Sequence, residues 1–241
     1  MASDKIKLIS VCMTTFNGSE YVEEQINSIL GQLPNLDDEL IISDDGSTDA
    51  TVEIIRSIDD PRIKLYCSNY KNVIDNFEFV IGKAAGDVIF LSDQDDIWHG
   101  DKVKIYLDNL RDNDLVFSNV TVVNSIGVII RNHLYELEKD KSGLIKNWLR
   151  NSCFGGTIAF DKIILEKVLP FPRNIEMHDS WILLVAELFY SVKYLSRPLL
   201  FYRRHGSNVS SASEKSLNSF KKKVIIRIRY FKYLFLLKMS S

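Results

Sequence analysis

The chain has 241 residues, 46% of them apolar and 26% charged, a composition that indicates a globular protein with a substantial core and excludes a disordered or fibrous chain. The three cysteines, Cys12, Cys67 and Cys153, are odd in number and far apart, which argues against a disulfide framework or a zinc-ligand pattern. No run approaches the roughly 18 apolar residues of a spanning helix, and residues 8–13 read as a strand and not as a secretion signal, so we expect a cytoplasmic protein.

The charge is unevenly distributed along the chain. The net charge is −2, but from Lys215 onwards there are eight Lys or Arg and no Asp or Glu, so the preceding residues carry −10. This asymmetry suggests that the basic tail has a surface partner.

The first half of the chain alternates strand patterns with helical patterns. Strands are predicted at residues 7–14, 39–43, 62–67 and 87–91. Helices are predicted at residues 20–30, from residue 47 or 48 onwards, and at residues 73–83. The strands are apolar at consecutive positions, which is typical of parallel strands covered on both faces. The order predicts an α/β fold with helices on both sides of the sheet and a ligand site at the carboxyl ends of the strands.

The second half is more mixed. Residues 115–123 and 126–130 are predicted to form a hairpin with Gly127 near its turn. A short helix is expected at residues 144–149, a helix capped by Asp161 through residue 167, a longer helix at residues 178–190, and a strand at residues 193–202. Residues 207–216 are rich in serine and predict a linker, which divides the chain into a domain of residues 1–209 and an appendage of residues 210–241.

Polar clusters follow three of the predicted strands, at residues 14–18, 43–49 and 92–96. Because the carboxyl ends of parallel strands meet at one edge of a sheet, we expect the carboxylates of these clusters to crowd together. Such crowding is costly unless a positive charge lies among them. A divalent cation is the natural partner, since hard cations prefer carboxylate oxygens.

Each acidic cluster also has a simpler explanation when it is taken alone. Residues 44–49 fit a turn at Gly46 followed by a helix N-cap at Ser47 or Thr48, and residues 93–96 fit a solvated loop. The presence of both clusters at matching strand ends favours the cation site.

Four segments occur in a characteristic order: residues 9–17 with 41–49, then 91–98 (LSDQDDIW), 178–181 (HDSW) and 202–208 (YRRHGSN). Together they resemble the family 2 glycosyltransferases, and the later three resemble the rhamnosyltransferase-like branch of that family. The resemblance spans residues 6–209. It implies a GT-A fold, with a mixed central sheet and helices on both faces, and transfer of a sugar from a nucleotide diphosphate.

The resemblance also implies a nucleotide pocket. Its residues would be Thr14, Phe16, Asn17, Asp44, Asp45 and Asp93. Asp44 would accept a hydrogen bond from the imide N–H of uracil or thymine, which cytosine lacks. Asp93 would bind the ribose or help to hold the surroundings of the metal.

A metal site is implied at Asp95, which would hold Mg²⁺ or Mn²⁺ against the diphosphate. His205 would supply a further metal ligand or a phosphate contact. Without the resemblance, a loop histidine stacked on Tyr202 is the simpler interpretation of His205.

The implied catalytic base is Asp179, at the start of a predicted helix. In an inverting transfer it would deprotonate the acceptor hydroxyl while that hydroxyl attacks the anomeric carbon. Taken alone, Asp179 would only complement the helix dipole. Ser180 stands where the family often has Trp, which leaves packing on the acceptor side open.

Other candidates flank these residues. Arg203 and Arg204 would bind diphosphate oxygens, with a surface position as the alternative for one of them. Trp98 and Trp181 would line the acceptor cleft, with core packing as the alternative. The glycines at 155–156 would let the backbone approach a substrate closely, or would form a strand bulge.

The tail has a helical pattern with an apolar stripe among basic residues. The stripe consists of Phe220, Val224, Ile228, Phe231 and Phe235. A helix at an anionic membrane surface fits this pattern, and docking on the domain or on a partner chain is the alternative. The acidic body would repel phosphate, which argues against nucleic acid as a partner.

We therefore predict an inverting, metal-dependent glycosyltransferase. Its donor would be dTDP-rhamnose or a UDP-sugar, and its acceptor a glycan or lipid-linked oligosaccharide in cell-surface polysaccharide synthesis, such as capsule or O-antigen assembly. A phosphoryl-transfer protein also gathers Asp at strand ends, but there the reactive Asp follows an early strand, and the first strand here ends in Thr-Thr-Phe-Asn. A non-catalytic nucleotide-binding module of a larger assembly is the main alternative, against which Asp179 and His205 argue.

Overall fold

A computed structural model of the chain describes residues 7–135, 140–151, 153–206 and 220–240. Within these residues nine strands form one mixed sheet. The strands are β1 (Ile9–Thr15), β2 (Glu39–Asp44), β3 (Ile63–Cys67), β4 (Val88–Ser92), β5 (Ile97–Trp98), β6 (Leu115–Asn124), β7 (Ile129–Arg131), β8 (Ile158–Asp161) and β9 (Val192–Arg204). The helices are α1 (Val22–Leu30), α2 (Thr51–Ser57), α3 (Val73–Gly82), α4 (Lys102–Asn109), α5 (Leu144–Leu149), α6 (Leu165–Val168), α7 (His178–Phe189) and α8 (Phe220–Met239).

The first half of the sheet is parallel, in the order β3-β2-β1-β4. Strands β1, β2 and β4 are buried along their whole length, as their consecutive apolar residues predict. The register pairs Thr15 with Asp44 and Met13 with Ser92, so the carboxyl ends of all three strands lie at one edge. The predicted α/β arrangement of this half is confirmed.

The second half makes the sheet mixed, because β8 runs antiparallel to both β4 and β6. Strand β9 is parallel to β6 and carries β5 as an antiparallel edge strand. The predicted hairpin is present as β6 and the short strand β7, and Gly127 has a φ of +81° in its turn.

Two apolar cores lie on opposite faces of the sheet. One face is covered by α1, α2 and α4, through residues such as Ile26 and Tyr106. The other face is covered by α3, α6, α7 and α8, through residues such as Phe77, Trp181 and Leu234. Helices therefore lie on both faces, as the resemblance implies.

The second helix begins later than its sequence suggests. A start at Ser47 or Thr48 was the expectation, but α2 begins at Thr51. Asp49 accepts a hydrogen bond from the Thr51 backbone N–H, while the Ser47 hydroxyl donates to Asp44 instead of capping the helix. The N-cap of α2 is Ala50, which lies two to three residues after the positions that the cap pattern predicts.

The C-terminal helix α8 presents two apolar faces. Its buried side docks on the domain through Tyr230 and Leu234. The predicted stripe lies on the opposite side, where Val224, Ile228 and Phe231 are exposed. Of the two alternatives that the sequence left open, docking on the domain is present, and a membrane contact of the exposed face stays a prediction. The predicted linker at residues 207–216 lies outside the described residues.

Among the described helices, none combines the length and the apolar content needed to cross a membrane.

Candidate active site

The loops that follow β1 and β2 are tied together by hydrogen bonds. The backbone N–H of Asn17 donates to the Ser47 hydroxyl over 2.8 Å, and Asn17 Oδ1 accepts from the Thr48 N–H over 2.8 Å. Asn17 adopts a φ of +46°, which Asn tolerates better than most residues. The structure therefore places Asn17 at the junction of the two loops that the resemblance assigns to the nucleotide.

The carboxylate of Asp44 is buried and accepts hydrogen bonds within these loops. Its donors are the Thr15 and Ser47 hydroxyls and the backbone N–H groups of Gly46 and Ser47. Four donors match the number of lone-pair positions of a carboxylate. A nucleobase contact by Asp44, which stays a prediction, requires one of these donors to move.

Asp45 is likewise engaged, because it accepts hydrogen bonds from the backbone N–H groups of Lys71 and Asn72 before α3. Asp44 thus accepts hydrogen bonds within its own loop, and Asp45 accepts them from the segment that precedes α3. The expectation that both acidic clusters crowd around one cation is not met by these contacts.

Phe16 and Thr14 differ in their exposure. The Phe16 side chain is 56% exposed, whereas Thr14 is buried. The Phe16 backbone is held on both sides by Gln94, whose Oε1 accepts from the Phe16 N–H over 2.8 Å and whose Nε2 donates to the Phe16 carbonyl over 3.0 Å. Gln94 is a contributor that sequence reasoning missed, although it lies inside the third polar cluster.

The loop after β4 gathers carboxylates that do interact with one another. Burial and the negative charges of Asp95 and Asp179 together raise the pKa of Asp93 to about 7. The pKa of Asp96 is also raised well above its ordinary value by burial and by Asp95 and Asp93. Since Asp179 lies at the start of α7, the acidic loop and the predicted base belong to one site.

The predicted metal ligands Asp95 and His205 are in direct contact. Their Oδ2 and Nε2 atoms are 2.7 Å apart, and the His205 ring packs on Tyr21 at a centroid distance of 4.9 Å. The His205 ring thus has an aromatic contact with Tyr21, in a tilted arrangement with an angle of 34° between the two rings.

Within the described part of the chain, no group of three or more His, Cys, Asp or Glu side chains is arranged to hold a metal ion. The pair formed by Asp95 and His205 still fits a cation that takes its other ligands from phosphate and water. Mg²⁺ is commonly bound in this way, through one or two carboxylates and the phosphates of a substrate.

Arg203 is a buried residue that holds the acidic loop. Its backbone N–H donates to Asp96 over 3.0 Å and its Nε to the Asp95 carbonyl over 2.9 Å. Its two remaining nitrogens donate to the Ser125 carbonyl and to Glu24, the latter over 2.5 Å. These contacts do not direct the guanidinium of Arg203 towards a diphosphate. Arg204, the last residue of β9, is partly buried, and its phosphate contact stays a prediction.

Lys102 is a second buried cation beside the acidic loop, and sequence reasoning missed it. Its Nζ donates to the Gly156 carbonyl over 2.6 Å and lies 4.1 Å from the centre of the Trp98 ring. Burial lowers the pKa of Lys102 to about 7, while the charges of Asp96 and Asp93 act in the opposite direction. A buried lysine among carboxylates partly compensates their charge.

The short turn at Gly155–Thr157 packs against the acidic loop and the start of α7. A Cβ atom on Gly155 would lie 3.0 Å from His178 Nε2, and one on Gly156 would lie 3.2 Å from Asp96 Oδ2. The Gly156 N–H also donates to Asp93. The two glycines therefore permit close packing within the site, and the close approach of a substrate to their backbone stays a prediction.

Asp179 is buried at the second position of α7. Its Oδ1 accepts from the Ser180 N–H over 2.5 Å and from the Ser180 hydroxyl over 3.2 Å. Burial raises the pKa of Asp179 to about 6, against the lowering effect of these hydrogen bonds. A carboxylate with a pKa near 6 is well matched to accepting a proton at neutral pH.

The two tryptophans predicted to line the acceptor cleft, Trp98 and Trp181, lie in the apolar cores. Trp98 is 3% exposed and packs on Phe90, and Trp181 is 2% exposed and donates its indole N–H to the Val168 carbonyl. Neither ring presents a surface to an acceptor in this structure. Of the two interpretations of each tryptophan, core packing is the one that these contacts favour.

Comparison with known proteins identifies the family. The family model of glycosyl transferase family 2 matches residues 10–169, which is more than half of the chain. The chain therefore belongs to glycosyl transferase family 2. The relatives include the dTDP-rhamnosyl transferase RfbG of Shigella flexneri, 26% identical over 245 residues that cover 91% of this chain and 81% of RfbG.

Solved structures confirm the GT-A type of fold. Residues 1–349 of S. aureus TarS in complex with UDP-GlcNAc align with a TM-score of 0.71 and 19% identity, covering 92% of this chain and 66% of that one. The mannosyltransferase PcManGT of Pyrobaculum calidifontis, in complex with GDP-Man and Mn²⁺, aligns with a TM-score of 0.63 and 19% identity, covering 99% and 66%. The chain thus spans just under two thirds of each of these solved chains.

Proposed function

We propose that the chain is an inverting, metal-dependent glycosyltransferase that uses a dTDP- or UDP-linked sugar. The observation that carries the proposal is the meeting of the Asp95–His205 pair with Asp93 and Asp179 at one sheet edge. This arrangement provides a place for a diphosphate with its cation beside a carboxylate suited to general-base work. The dTDP-rhamnosyl transferase activity of RfbG and the UDP-GlcNAc bound to TarS support the two donor classes.

On the donor side, the loops after β1 and β2 would hold the nucleoside. The exposed Phe16 ring, with its backbone fixed by Gln94, offers an apolar surface to a base. Asp95 and His205 would hold Mg²⁺ or Mn²⁺, which when bound neutralises the charge that develops on the leaving nucleoside diphosphate. The Mn²⁺ in the PcManGT complex supports this proposal.

On the acceptor side, Asp179 would take the proton of the attacking hydroxyl. Attack from the face opposite the leaving group inverts the anomeric centre. Burial of Asp179 at the N-terminus of α7 keeps the carboxylate poorly solvated, so that it accepts a proton readily near neutral pH.

We also propose that the acceptor is lipid-linked and that α8 contacts the membrane surface at which it lies. The outward face of α8 exposes Ile228, Phe231 and Phe235, each by more than half of its surface. Seven Lys or Arg and no Asp or Glu occur within Phe220–Met239. Exposed apolar residues on a strongly basic helix match an anionic lipid surface.

The first experiment measures the thermal stability of the full chain with UDP, dTDP and GDP, each with and without Mn²⁺. A ligand at one hundred times its dissociation constant stabilises a protein by about 2.7 kcal/mol. We expect stabilisation by UDP or dTDP that depends on Mn²⁺, followed by sugar transfer from the matching donor. A folded protein that responds to none of the nucleotides would refute the proposal.

A further inference from the structure

An apolar groove lies between α5, the C-terminal end of α7 and α8. Its volume is about 630 Å³, which is within the range of sites that hold small ligands. The described residues that line it include none of those placed in the candidate active site. Its walls are mainly apolar and include Leu144, Ile145, Trp148, Leu188, Phe231 and Phe235.

The apolar side chains of this groove are open to solvent on both walls. Ile145 of α5 is 72% exposed, and on α8 Phe231, Phe235 and Met239 are each exposed by more than half of their surface. The three α8 residues follow one another at intervals of four, so they lie on one side of the helix. A contiguous apolar surface of this kind marks a binding site for an apolar group, unlike single apolar residues scattered over a surface.

The surroundings of the groove are positively charged. Together α5 and α8 contain eight Lys or Arg and no Asp or Glu. Lys238 lines the groove, and Lys146 and Lys232 belong to its two walls. The nearby carboxyl of Glu187, which accepts a hydrogen bond from Asn147 of α5, has a pKa that is raised by burial. An apolar groove with cations around it matches a molecule that has a hydrocarbon chain and an anionic head.

The groove leads towards the proposed acceptor side of the active site. At one end of α7 the Tyr230 hydroxyl donates to the carbonyl of Met177, immediately before the helix. At the other end Leu188 lines the groove. Helix α7 has 12 residues and is therefore about 18 Å long. Since Phe231 follows Tyr230, the Phe231 end of the groove is the end nearest to Asp179.

Two observations favour a lipid chain over a second copy of the protein. Phe231 and Phe235 belong both to the groove and to the exposed stripe of α8, so the groove opens onto the face that we propose to lie at a membrane surface. Pairing of two copies through α8 would bring seven cations of one helix against seven of the other, and such like-charge contacts are costly.

We propose that this groove binds the hydrocarbon chain of the lipid-linked acceptor. The anionic head of the lipid then lies among the basic residues of α8, and its glycan extends towards Asp179. This inference rests on the proposed function, because it assigns a site to the lipid part of the acceptor of that function.

The test measures binding of farnesyl diphosphate, a soluble isoprenoid, to the full chain by calorimetry. The buffer contains EDTA and no vesicles, so neither a metal-dependent donor site nor adsorption to a bilayer contributes. We expect farnesyl diphosphate to bind at least about ten-fold more tightly than inorganic diphosphate, because only the former buries apolar surface.

Variants at exposed positions locate the binding site. Ile145→Asp should weaken the binding of farnesyl diphosphate about ten-fold or more, because it places a negative charge in the wall of the groove. Met239→Asp tests the opposite wall and carries the same expectation. The matched control is Leu36→Asp, at a residue that is 85% exposed in the loop before β2, and it should bind as the wild type does. Thermal melting checks that each variant is folded.

The possible results separate this inference from the proposed function. Equal binding of the two diphosphates, or folded Ile145→Asp and Met239→Asp variants that bind farnesyl diphosphate as the wild type does, would refute the groove site alone. A wild type that sediments as a dimer and becomes a monomer in Ile145→Asp would assign the groove to a second copy and would also refute it. Binding of farnesyl diphosphate in the groove by a protein that binds neither UDP nor dTDP with Mn²⁺ would refute the proposed function instead.

Discussion

His205 Nε2 lies 2.7 Å from Asp95 Oδ2, so the residue after β9 is joined to the loop after β4 across 110 positions of the chain. The first prediction concerns this contact. Asp95→Ala and His205→Ala should each remove the Mn²⁺-dependent part of the stabilisation by UDP or dTDP, because each variant loses one of the two proposed ligands. Differential scanning fluorimetry with and without Mn²⁺ measures the effect.

A matched control for His205→Ala is His99→Ala. His99 stacks on Phe201 and lies 3.6 Å from Asp101, which is not part of the proposed site. The control should respond to Mn²⁺ and nucleotide as the wild type does. A full Mn²⁺ response in His205→Ala would remove His205 from the metal site.

The second prediction concerns catalysis by Asp179. Asp179→Asn should lower kcat by roughly 10²–10⁴-fold, because an amide cannot accept the proton, and should leave nucleotide affinity unchanged. Since only the carboxylate form is active and its pKa is about 6, wild-type activity should rise with pH through about 6 and then level off. The measurements are kcat and the pH profile of kcat/KM, with the exposed Asp112→Asn as a control expected to match the wild type.

The third prediction links the same pKa to stability. The pKa of Asp179 is raised from 3.8 to about 6 in the folded chain, so folding favours its protonated form. The ionised carboxylate therefore lowers the free energy of unfolding, and this loss grows as the pH rises from about 4 to about 6. Above that range the loss amounts to about 3 kcal/mol. Urea unfolding should show Asp179→Asn to be more stable than the wild type at pH 8, with the difference shrinking towards pH 4. Equal stabilities at pH 8 would contradict the raised pKa.

The fourth prediction tests the close packing at Gly155. Gly155→Ala places a methyl group 3.0 Å from His178 Nε2 and should destabilise the fold by about 1–3 kcal/mol while reducing turnover. Gly82→Ala is the matched control, since a Cβ atom there meets nothing within 4 Å at the end of α3. The control should be neutral or slightly stabilising. Equal effects of the two substitutions would show that the turn tolerates a side chain.

The fifth prediction concerns the outward face of α8. The wild type should sediment with vesicles that contain an anionic lipid, less so as salt increases, and weakly with neutral vesicles. Ile228→Asp should reduce this binding at least several-fold, because it places a negative charge in the exposed stripe. Ile126→Asp, at another exposed isoleucine, in the β6–β7 turn, should bind as the wild type does. The lipid contact would be refuted if sedimentation with vesicles were the same for anionic and neutral lipids and were unchanged in Ile228→Asp.

The parallel half of the fold was predictable because its signals are local. Four consecutive apolar runs with helical patterns between them leave few other arrangements, and the polar clusters mark the strand ends. The second half was only partly predictable. Strand β8 has four residues, and its antiparallel position between β4 and β6 depends on contacts made far along the chain.

The candidate site shows the same division. The proximity of Asp95, His205 and Asp179 could be expected because all three lie in motifs of the resemblance, while their roles stay predictions. Lys102 was missed because a lysine at the start of a helix is ordinarily solvated, and its burial appears only when the Gly155–Thr157 turn closes over it. The predicted contact of Arg203 with phosphate is not supported, because Arg203 donates to Glu24, Ser125 and Asp95 instead. The sequence does not show that these three residues surround it.

The hydroxyl of Tyr230 accepts hydrogen bonds from the backbone N–H groups of Glu176 and Met177 and donates to the Met177 carbonyl. Helix α8 is therefore hydrogen bonded to Met177, the residue immediately before α7 and its first two residues, His178 and Asp179. A substitution that displaces α8 is therefore expected to move the start of α7 as well, and with it Asp179, the proposed base. The C-terminal helix thus acts as a support for the first turn of α7 in addition to presenting its own exposed face.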